Sequence, residues 1–467
     1  MKNCIINGER ALISMGGRCS YGCSYCYTHE HRFECSEKKT PEEIIALLEQ
    51  LPEEVKLIQC GYDNEFFKNE FDAVKIIKAI ADLDKNVSFS TKKDLSFETI
   101  EALKEIQQNM STNQYMVACV SLLGFKTIRR IEPNAPDPEK RVETIHRLFG
   151  AKIPTLVYLR PLIPTIPEIE IEEVFAKTAG HCDGYVVGKM IFDKRNPSKL
   201  SKGKKRKMNW SKDKREWYEY VDSRAKKLAK RPNVFLHRSE AFSFIKAKQT
   251  LKQALLKHAK QKTSKDDASH DFSHALRVLN NAEFIASHEG GDLNIVIPAA
   301  LFHDIVMYPK NDPRSNNSAR ESANEAEKIL LSIQGYDSSK IALVKKAIIE
   351  HSFSSGLKPT SQESKILQDA DRLECTGAIA IMRTFSSSGQ MSRRFYNLSD
   401  PFCEERLPNS RDSALDFFYK RLLKMQDSMN TKTARKLAEK RTSFLHDFLG
   451  QLKDEITEPS SACVMVQ

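Results

Sequence analysis

The sequence predicts an α/β domain, arranged as a partial (β/α)6 barrel, followed by a separate all-α domain. The first 190 residues alternate short β-rich runs with amphipathic helical stretches, which is the pattern of a parallel sheet with helices outside it. From about residue 246 onwards, helical periodicities follow one another without a convincing strand. The length of 467 residues also suits two or three domains of roughly 100–200 residues each.

Six β/α units account for the first domain, residues 1–190. The predicted strands are Ala11–Met15, Val55–Cys60, Val87–Thr91, Met116–Ser121, Thr155–Leu159 and Gly184–Val187. The predicted helices are Pro41–Gln50, Glu70–Ala81, Phe97–Gln107, Pro138–Phe149 and Glu168–Thr178. Ligand sites in such folds lie at the C-terminal ends of the strands, so the residues that follow each strand are the first candidates for a functional site.

A basic linker and barrel extension, residues 191–245, separates the two domains. It contains a predicted loop at Lys194–Lys214, a helix at Glu216–Lys230 and one further strand at Asn233–His237. The all-α domain then occupies residues 246–458, and we expect the tail 459–467 to be disordered. The predicted helices of this domain are Ala247–Lys260, His270–His288, Leu293–Val306, Ser318–Ser332, Ser339–His351, Gln362–Phe385 and Ser413–Glu455.

Composition excludes an integral membrane protein. A membrane span needs about 20 apolar residues, whereas the longest apolar runs are short, such as Ile295–Phe302. The N-terminus has no apolar signal-peptide core, so we expect a cytoplasmic protein. In a reducing cytoplasm, clustering among the 11 cysteines indicates metal or redox chemistry rather than disulfides.

The positive charge is concentrated in one segment. The chain has 73 Lys and Arg against 62 Asp and Glu, a net charge of +11. Segment 191–232 holds 16 basic and 5 acidic residues, a difference of +11, and so carries the whole excess. Such a run is typical either of a solvated linker or of a surface that binds nucleic acid or another polyanion.

Three cysteines follow the first predicted strand. Cys19, Cys23 and Cys26 have the spacing C-x3-C-x2-C, which lets three thiolates face one metal group. Soft thiolate ligands select an iron–sulfur cluster or zinc. A structural zinc site would need a fourth ligand, which His29, His31 or Cys35 could supply.

The cysteine motif, with the aromatic Tyr25 before its last cysteine, resembles that of the radical SAM superfamily. The resemblance implies that the three cysteines hold a [4Fe–4S] cluster and that S-adenosylmethionine binds the open iron. It also implies reductive cleavage to a 5′-deoxyadenosyl radical, which abstracts a hydrogen atom from a substrate. An electron donor such as flavodoxin or ferredoxin would be needed.

Further segments support this resemblance. Gly61 and Asp63 follow the second predicted strand, where the family binds the methionine amino group, although the usual glycine-rich form is absent. The third strand ends in a hydroxyl-rich and cationic run that could bind the methionine carboxylate or the ribose. The segment 131–133 with Arg141, followed by Leu159–Pro164, is similar to the branch that contains spore photoproduct lyase. The residues of the third-strand run are Ser90, Thr91 and Lys92.

The other cysteines form no second C-x2-C pair, so we expect no auxiliary cluster. Cys119 and Cys182 lie in apolar, strand-like surroundings and are predicted to be core residues. A thiol hydrogen-atom donor is the alternative role for one of them.

The second domain contains histidines and aspartates in an ordered pattern. His270 and His274 are spaced i, i+4 on one predicted helix, and the pair His303–Asp304 ends a later helix. Asp371 follows in a third helical stretch. This mixed nitrogen and oxygen set suits a divalent ion such as Mn²⁺, Fe²⁺, Ni²⁺, Mg²⁺ or Zn²⁺.

The pattern resembles the HD-domain metal-dependent phosphohydrolases. By that resemblance the metal ligands are His274, His303, Asp304 and Asp371. The resemblance also implies that His351 faces the metal or a phosphate, that Asp304 or Asp271 accepts a proton or orients water, and that the reaction is phosphoester hydrolysis. We expect His270 beside the ligands, and Lys310 and Arg314 on phosphate oxygens.

The two resemblances together predict a bifunctional enzyme that acts on a nucleotide, a nucleic acid or a phosphorylated metabolite. The alternative is a redox-sensing regulatory protein that binds a nucleotide or nucleic acid without turnover. A sensor cluster usually has four protein ligands, so the cysteine trio favours the enzyme, as does the complete histidine and aspartate set.

Overall fold

An eight-stranded sheet forms the centre of the first of two compact units. In this computed structural model the units are residues 1–250 and 251–467. The structure describes residues 3–17, 19–26, 37–111, 114–163, 165–188, 210–263, 271–308, 312–352 and 356–457. Within 210–263, side chains are described from residue 219 onwards. Several predictions fall outside this part of the chain: those on His29, His31, Cys35, Pro164, His270, Lys310, basic residues 191–209 and the tail 459–467.

The strands of the sheet follow one another in sequence order. β1 and β2 form an antiparallel hairpin, and every later strand pairs in parallel with the one before it. The predicted α/β fold is thereby confirmed. The strands are β1 (Cys4–Asn7), β2 (Arg10–Ile13), β3 (Leu57–Cys60), β4 (Asn86–Thr91), β5 (Met116–Ser121), β6 (Thr155–Leu159), β7 (Gly184–Val187) and β8 (Val234–Phe235).

The sequence prediction did not include β1. Ile5 and Ile6 on this strand are 37% and 49% exposed, so β1 lacks the apolar burial that marked the other strands. The signal that could have revealed it is Gly8, which has φ +60° and is the first residue of the two-residue turn Gly8-Glu9 between β1 and β2.

Helices cover both faces of the sheet. The larger core joins one face to the helices α1 (Pro41–Glu49), α2 (Glu70–Asp82), α3 (Phe97–Asn109), α4 (Ile128–Ile131), α5 (Pro138–Gly150), α6 (Glu168–Thr178) and α7 (Trp210–Leu228). The opposite face, which we call the inner face, packs against the first half of α8 (Arg238–Lys262). Phe242 of α8 contacts Tyr115 edge-on, and Lys248 pairs with Asp183 at 2.7 Å.

The second unit is helical, as predicted. Its helices after α8 are α9 (Phe272–Glu289), α10 (Leu293–Phe302), α11 (Ser318–Ser332), α12 (Ile341–His351), α13 (Gln362–Arg372), α14 (Gly377–Gln390), α15 (Ala414–Lys420) and α16 (Lys432–Thr457). A core of α9 to α13 surrounds the fully buried part of α10, and a smaller core joins α14 to α16.

Two long predicted helices are interrupted. The predicted helix Gln362–Phe385 is α13, a 3₁₀ segment at Leu373–Cys375, and α14, whose first residue Gly377 has φ +66°. A helix cannot pass through a residue in this left-handed conformation. The predicted helix Ser413–Glu455 is α15, a 3₁₀ segment at Leu422–Ser428, and α16.

In the described part of the chain, no helix combines the length and apolar character that a membrane span requires.

Candidate cluster site and candidate metal centre

The cysteine loop begins directly after β2, at the C-terminal edge of the parallel strands. Cys23 is buried, whereas Cys19 and Cys26 are half-buried. Neighbouring segments hold the loop in place: Ser24 N donates to Ile131 O at 2.9 Å, and Asn64 Nδ2 donates to Gly16 O at 2.9 Å. The three predicted ligands therefore lie on one anchored loop.

Lys92, the residue after β4, joins the cysteine loop to an acidic partner. Its Nζ lies 3.4 Å from Cys23 Sγ and 3.4 Å from Glu132 Oε1. Burial alone would lower the pKa of Lys92, but the groups that face it raise that pKa well above its usual value. Burial raises the pKa of the Cys23 thiol, and the lysine opposes this shift, because a cation favours a thiolate.

A buried carboxylate organises this side of the site. Glu132 accepts a hydrogen bond from the Tyr25 hydroxyl, and its Oε2 lies 2.6 Å from Arg141 Nη1. The Arg141 guanidinium is 1% exposed and also donates to Pro136 O at 2.8 Å. The structure thus brings Tyr25, Lys92 and Arg141 together through Glu132, to which the sequence analysis gave no role.

The loop after β3 lies beside the end of β4. Gly61 has φ +77°, and a Cβ atom there would lie 2.4 Å from Ser90 O, so the close approach of these strands requires glycine. Glu65 accepts hydrogen bonds from Thr91 Oγ1 at 2.7 Å and from the backbone N–H of Lys92 at 2.9 Å. Asp63 is half-buried in the same loop.

These residues fit a cluster with a bound amino acid. Three thiols on one loop have the donor chemistry of iron–sulfur ligation, and the neighbouring lysine favours the ionised form of Cys23. The glycine at position 61 lets the loop after β3 pack directly against Ser90 O at the end of β4. Glu65 and Glu132 are the carboxylates beside this loop to which no role was assigned from the sequence.

In the second unit, three elements bring the predicted metal ligands together. His274 lies in the first turn of α9, His303 and Asp304 follow α10, and Asp371 lies in the last turn of α13. His274 Nε2 is 3.2 Å from His303 Nε2 and 3.6 Å from Asp371 Oδ1. His303 Nε2 is 3.4 Å from Asp304 Oδ2. The ligand atoms of His274, His303 and Asp371 converge closely enough for a single ion.

His351, the last residue of α12, faces the same centre. Its Nε2 lies 3.5 Å from Asp304 Oδ1, and with His303 and Asp304 it forms a second group of converging ligand atoms. Asp304 therefore lies between His303 and His351, where it can bind an ion or orient a water.

The other ring nitrogen of each histidine is already engaged. His274 Nδ1 contacts Glu374 Oε2 at 3.3 Å, His303 Nδ1 contacts Ala300 O at 2.8 Å, and His351 Nδ1 contacts Ile348 O. Because these acceptors require a proton on Nδ1, each Nε2 presents its lone pair to the centre. This is the tautomer that a metal ligand needs.

Protonation also suits metal binding at His303 and Asp371. Burial lowers the pKa of His303 to about 4, so its imidazole is neutral at pH 7. Burial would raise the pKa of Asp371, but the neighbouring histidines lower it overall, so the carboxylate is ionised. A neutral imidazole and an ionised carboxylate are the forms that coordinate a divalent ion.

Asp271 has a structural role that the sequence analysis did not assign. It is the N-cap of α9, and its Oδ1 accepts the backbone N–H of His274 at 2.9 Å. Asp271 also lines a small, partly open cavity of about 10 Å³ together with His274, His303 and Asp304. It thereby fixes the helix turn that carries the first histidine.

Glu374 and a group of arginines lie around the centre and were missed by the sequence analysis. Glu374 is 2% exposed and accepts a hydrogen bond from Arg277 Nε at 2.7 Å in addition to its contact with His274. The arginines near Asp371 or the adjacent Cys375 thiol are Arg372, Arg383 and Arg421. The sequence signal that was available for an arginine near the centre is that Arg372 directly follows the predicted ligand Asp371.

Arg314, which the sequence analysis assigned to phosphate binding, lies on the surface. Its guanidinium pairs with Asp312 at 2.7 Å and stacks over Tyr308.

Comparisons with known proteins give separate matches for the first and the second half of the chain. A family model for the radical SAM superfamily matches residues 13–177, and a model for the HD domain matches residues 271–376. The uncharacterized Bacillus subtilis (strain 168) protein YpgQ is 34% identical over 195 residues, which are 41% of this chain and 86% of YpgQ. The uncharacterized Methanocaldococcus jannaschii protein MJ0683 is 23% identical over 187 residues, which are 37% of this chain and 67% of that protein.

The crystal structure of Bacillus subtilis YpgQ in complex with ADP is 29% identical, with a TM-score of 0.36, and the match covers 46% of this chain and 98% of YpgQ. The radical SAM model describes the superfamily as a whole, so the finer likeness to the spore photoproduct lyase branch stays a prediction. The first family implies a [4Fe–4S] cluster and S-adenosylmethionine, and the second implies a divalent metal. The chain therefore belongs to the radical SAM superfamily through its first domain and to the HD domain family through its second, and both domains indicate an enzyme.

Proposed function

We propose that the first domain performs radical chemistry on a substrate and that the second hydrolyses a phosphoester. The convergence of His274, His303, Asp304 and Asp371 on one centre carries the second half of this proposal. The anchored trio of cysteines beside Lys92 carries the first half. A nucleotide, a nucleic acid or a phosphorylated metabolite is the substrate class that links the two halves.

In the first domain, Cys19, Cys23 and Cys26 would hold the cluster, and Gly61, Asp63 and the end of β4 would hold the amino acid part of S-adenosylmethionine. When bound, these groups supply a 5′-deoxyadenosyl radical that abstracts hydrogen. Lys92 favours thiolate at Cys23 and is itself fixed by Glu132, which Arg141 and Tyr25 position. The buried ion pair between Arg141 and Glu132 keeps this side of the site rigid and free of bulk water.

The test of the first domain is formation of 5′-deoxyadenosine. The anaerobically reconstituted protein is mixed with S-adenosylmethionine and a strong reductant, and the product is measured by liquid chromatography. We expect product from the unaltered chain and none from Cys26→Ala, whereas the control Cys182→Ala retains activity. Iron-free protein with zinc bound to the three cysteines would defeat this half of the proposal.

In the second domain, His274, His303, Asp304 and Asp371 would bind the divalent ion, with Mn²⁺, Fe²⁺, Ni²⁺, Mg²⁺ and Zn²⁺ as candidates. When bound, such an ion polarises a phosphoryl oxygen and acidifies its water. Asp304 and His351, whose facing atoms are 3.5 Å apart, can accept and hold the proton of the attacking water. Arg372, which directly follows Asp371, would add positive charge that favours a phosphate group near the ion.

The test of the second domain is hydrolysis of a panel of nucleotides and phosphate esters with each metal in turn. Asp304→Ala should lower turnover by at least about 100-fold, since it removes a metal ligand and the proton acceptor. The matched control is Asp312→Ala, which removes a surface carboxylate that pairs with Arg314. Full hydrolysis by Asp304→Ala would refute the assigned centre, and tight nucleotide binding without turnover would favour a regulatory protein.

A further inference from the structure

Two arginines lie near each other on the inner face of the sheet. Arg160 directly follows β6, and Arg238 is the first residue of α8. Cys119 of β5 and Tyr158 of β6 belong to the buried cluster on this face. Because Arg160 follows the last residue of a parallel strand, it lies at the same edge of the sheet as the loop that carries Cys19.

Among the described residues, no carboxylate acts on the Arg160 guanidinium. In the described part of the chain its side chain makes no hydrogen bond or ion pair, and the charged or ionisable groups that act on it are Arg238 and Tyr158. The Arg238 guanidinium carbon lies 5.2 Å from the centre of the Tyr158 ring. Two guanidinium groups that repel each other create a positive potential, which a bound anion would neutralise.

Tyr158 adds a hydrogen-bond donor. Its side chain is 4% exposed, and among the described residues its hydroxyl has no hydrogen bond of normal geometry, although the adjacent Cys119 thiol acts on it. Burial raises the pKa of Tyr158, and it raises that of the Cys119 thiol to about 11, so both groups are protonated at neutral pH. A thiol is a weak acceptor, so a ligand oxygen would be a stronger partner for this buried hydroxyl.

Gly188 makes room for the Arg160 side chain. A Cβ atom at this glycine would lie 2.8 Å from Arg160 Nε and 3.1 Å from its Cδ. The backbone nearby is fixed by the hydrogen bond from Leu162 N to Gly188 O at 2.9 Å. The arginine therefore lies along the ends of β6 and β7, close to Tyr158, and not out in solvent.

We propose that Arg160, Arg238 and Tyr158 form a subsite for an oxyanion, a phosphate or carboxylate group, of the substrate that reacts in the first domain. Two cations and a neutral hydroxyl match the charge and the acceptor atoms of such a group. The statement that the oxyanion belongs to the radical substrate rests on the proposed function. The existence of the subsite does not, because it depends on residues outside the cluster loop.

The experiment is arginine modification by phenylglyoxal, read by mass spectrometry at individual peptides. The full-length protein is treated alone and with inorganic pyrophosphate, malonate or S-adenosylmethionine, at constant ionic strength. We expect an anion to slow modification of Arg160 and Arg238 by at least about tenfold. Arg130, which is exposed on the same domain, is the internal control and should react at one rate throughout.

Two variants sharpen the test. Arg238→Gln should raise the anion concentration that protects Arg160 by about tenfold to a hundredfold, and Tyr158→Phe should raise it by several fold while keeping the ring. Pyrophosphate protection without malonate protection would assign a phosphate group, and the reverse would assign a carboxylate group.

Other outcomes overturn the proposal. Unchanged reactivity of Arg160 with every anion would do so, and so would protection by S-adenosylmethionine alone, which would place the arginines at the cofactor. The assay needs neither cluster nor radical formation, so a failure to produce 5′-deoxyadenosine is a separate result that concerns the proposed function.

Discussion

At the scale of single residues, Glu374 fixes the orientation of a metal-ligating histidine. Its carboxylate lies between His274 Nδ1 and Arg277 Nε and is almost fully buried. Burial would raise the pKa of Glu374, but its two cationic or protonated partners lower it, so the carboxylate is ionised. An ionised acceptor on Nδ1 makes Nε2 a stronger ligand.

We therefore expect Glu374→Ala to weaken Mn²⁺ binding about 10-fold to 100-fold, as measured by titration calorimetry on the metal-free protein. Glu374→Gln keeps the shape and should lose less. The control Glu327→Ala, which removes a partner of Lys345 on the surface, should bind Mn²⁺ normally. Unchanged affinity in Glu374→Ala would show that His274 is oriented without this carboxylate.

A second residue-scale prediction concerns Asp416, which lies far in sequence from the ligands. This buried carboxylate accepts hydrogen bonds from Arg406 Nη2 and Ser413 Oγ, both at 2.8 Å. Burial opposes ionisation, but these donors lower the pKa of Asp416 to about 2. Because the folded-state pKa is below the unfolded value, the stabilisation is complete above about pH 4 and is lost as the pH falls toward 2.

Urea unfolding measures this effect. At pH 7, Asp416→Asn should be less stable than the unaltered chain by about 2 kcal/mol, and the difference should shrink as the pH is lowered through 3. A difference that stays constant with pH would attribute the loss to packing instead of charge.

At the scale of elements, Gly377 begins α14 directly after the break that follows α13. Its φ is +66°, and a Cβ atom there would lie 3.2 Å from Arg441 Cβ. We expect Gly377→Ala to destabilise the chain by about 1–2 kcal/mol, because alanine is strained in the left-handed region and meets a neighbouring side chain. Calorimetric unfolding checks this prediction.

Gly389 is the matched control for that substitution. It lies in α14 with no atom within 4 Å of an added Cβ. Gly389→Ala should be neutral or stabilising by up to about 1 kcal/mol, because alanine favours helix. Equal effects of the two substitutions would mean that the conformation at Gly377 is not required.

At the scale of the whole molecule, each unit has its own core and its own candidate site. Residues of the first core come from β1 to β8 and α1 to α7, and those of the main helical core come from α8 to α13 and α16. We expect Cys26→Ala to abolish 5′-deoxyadenosine formation while leaving metal-dependent phosphoester hydrolysis unchanged within about twofold. A parallel loss of both activities would show that the two sites depend on each other.

The division into an α/β domain and an all-α domain could be predicted because apolar periodicity is local. The candidate ligands could be selected because their motifs are short. The break between α13 and α14 escaped prediction because apolar residues continue on both sides of it. Glu374 escaped because its partner His274 is 100 residues away, and Glu132 because it acts through Tyr25, 107 residues away. Such pairings exist only after the chain has folded.

The outermost strands of the sheet bear on self-association. In the described part of the chain, β8 has two residues and pairs with β7, while β1 has four and pairs with β2. An exposed strand edge can recruit a strand of another molecule and begin an aggregate. A two-residue edge offers very few backbone groups for such recruitment. Lengthening β8 would therefore be expected to promote fibrous aggregation before it affected either activity.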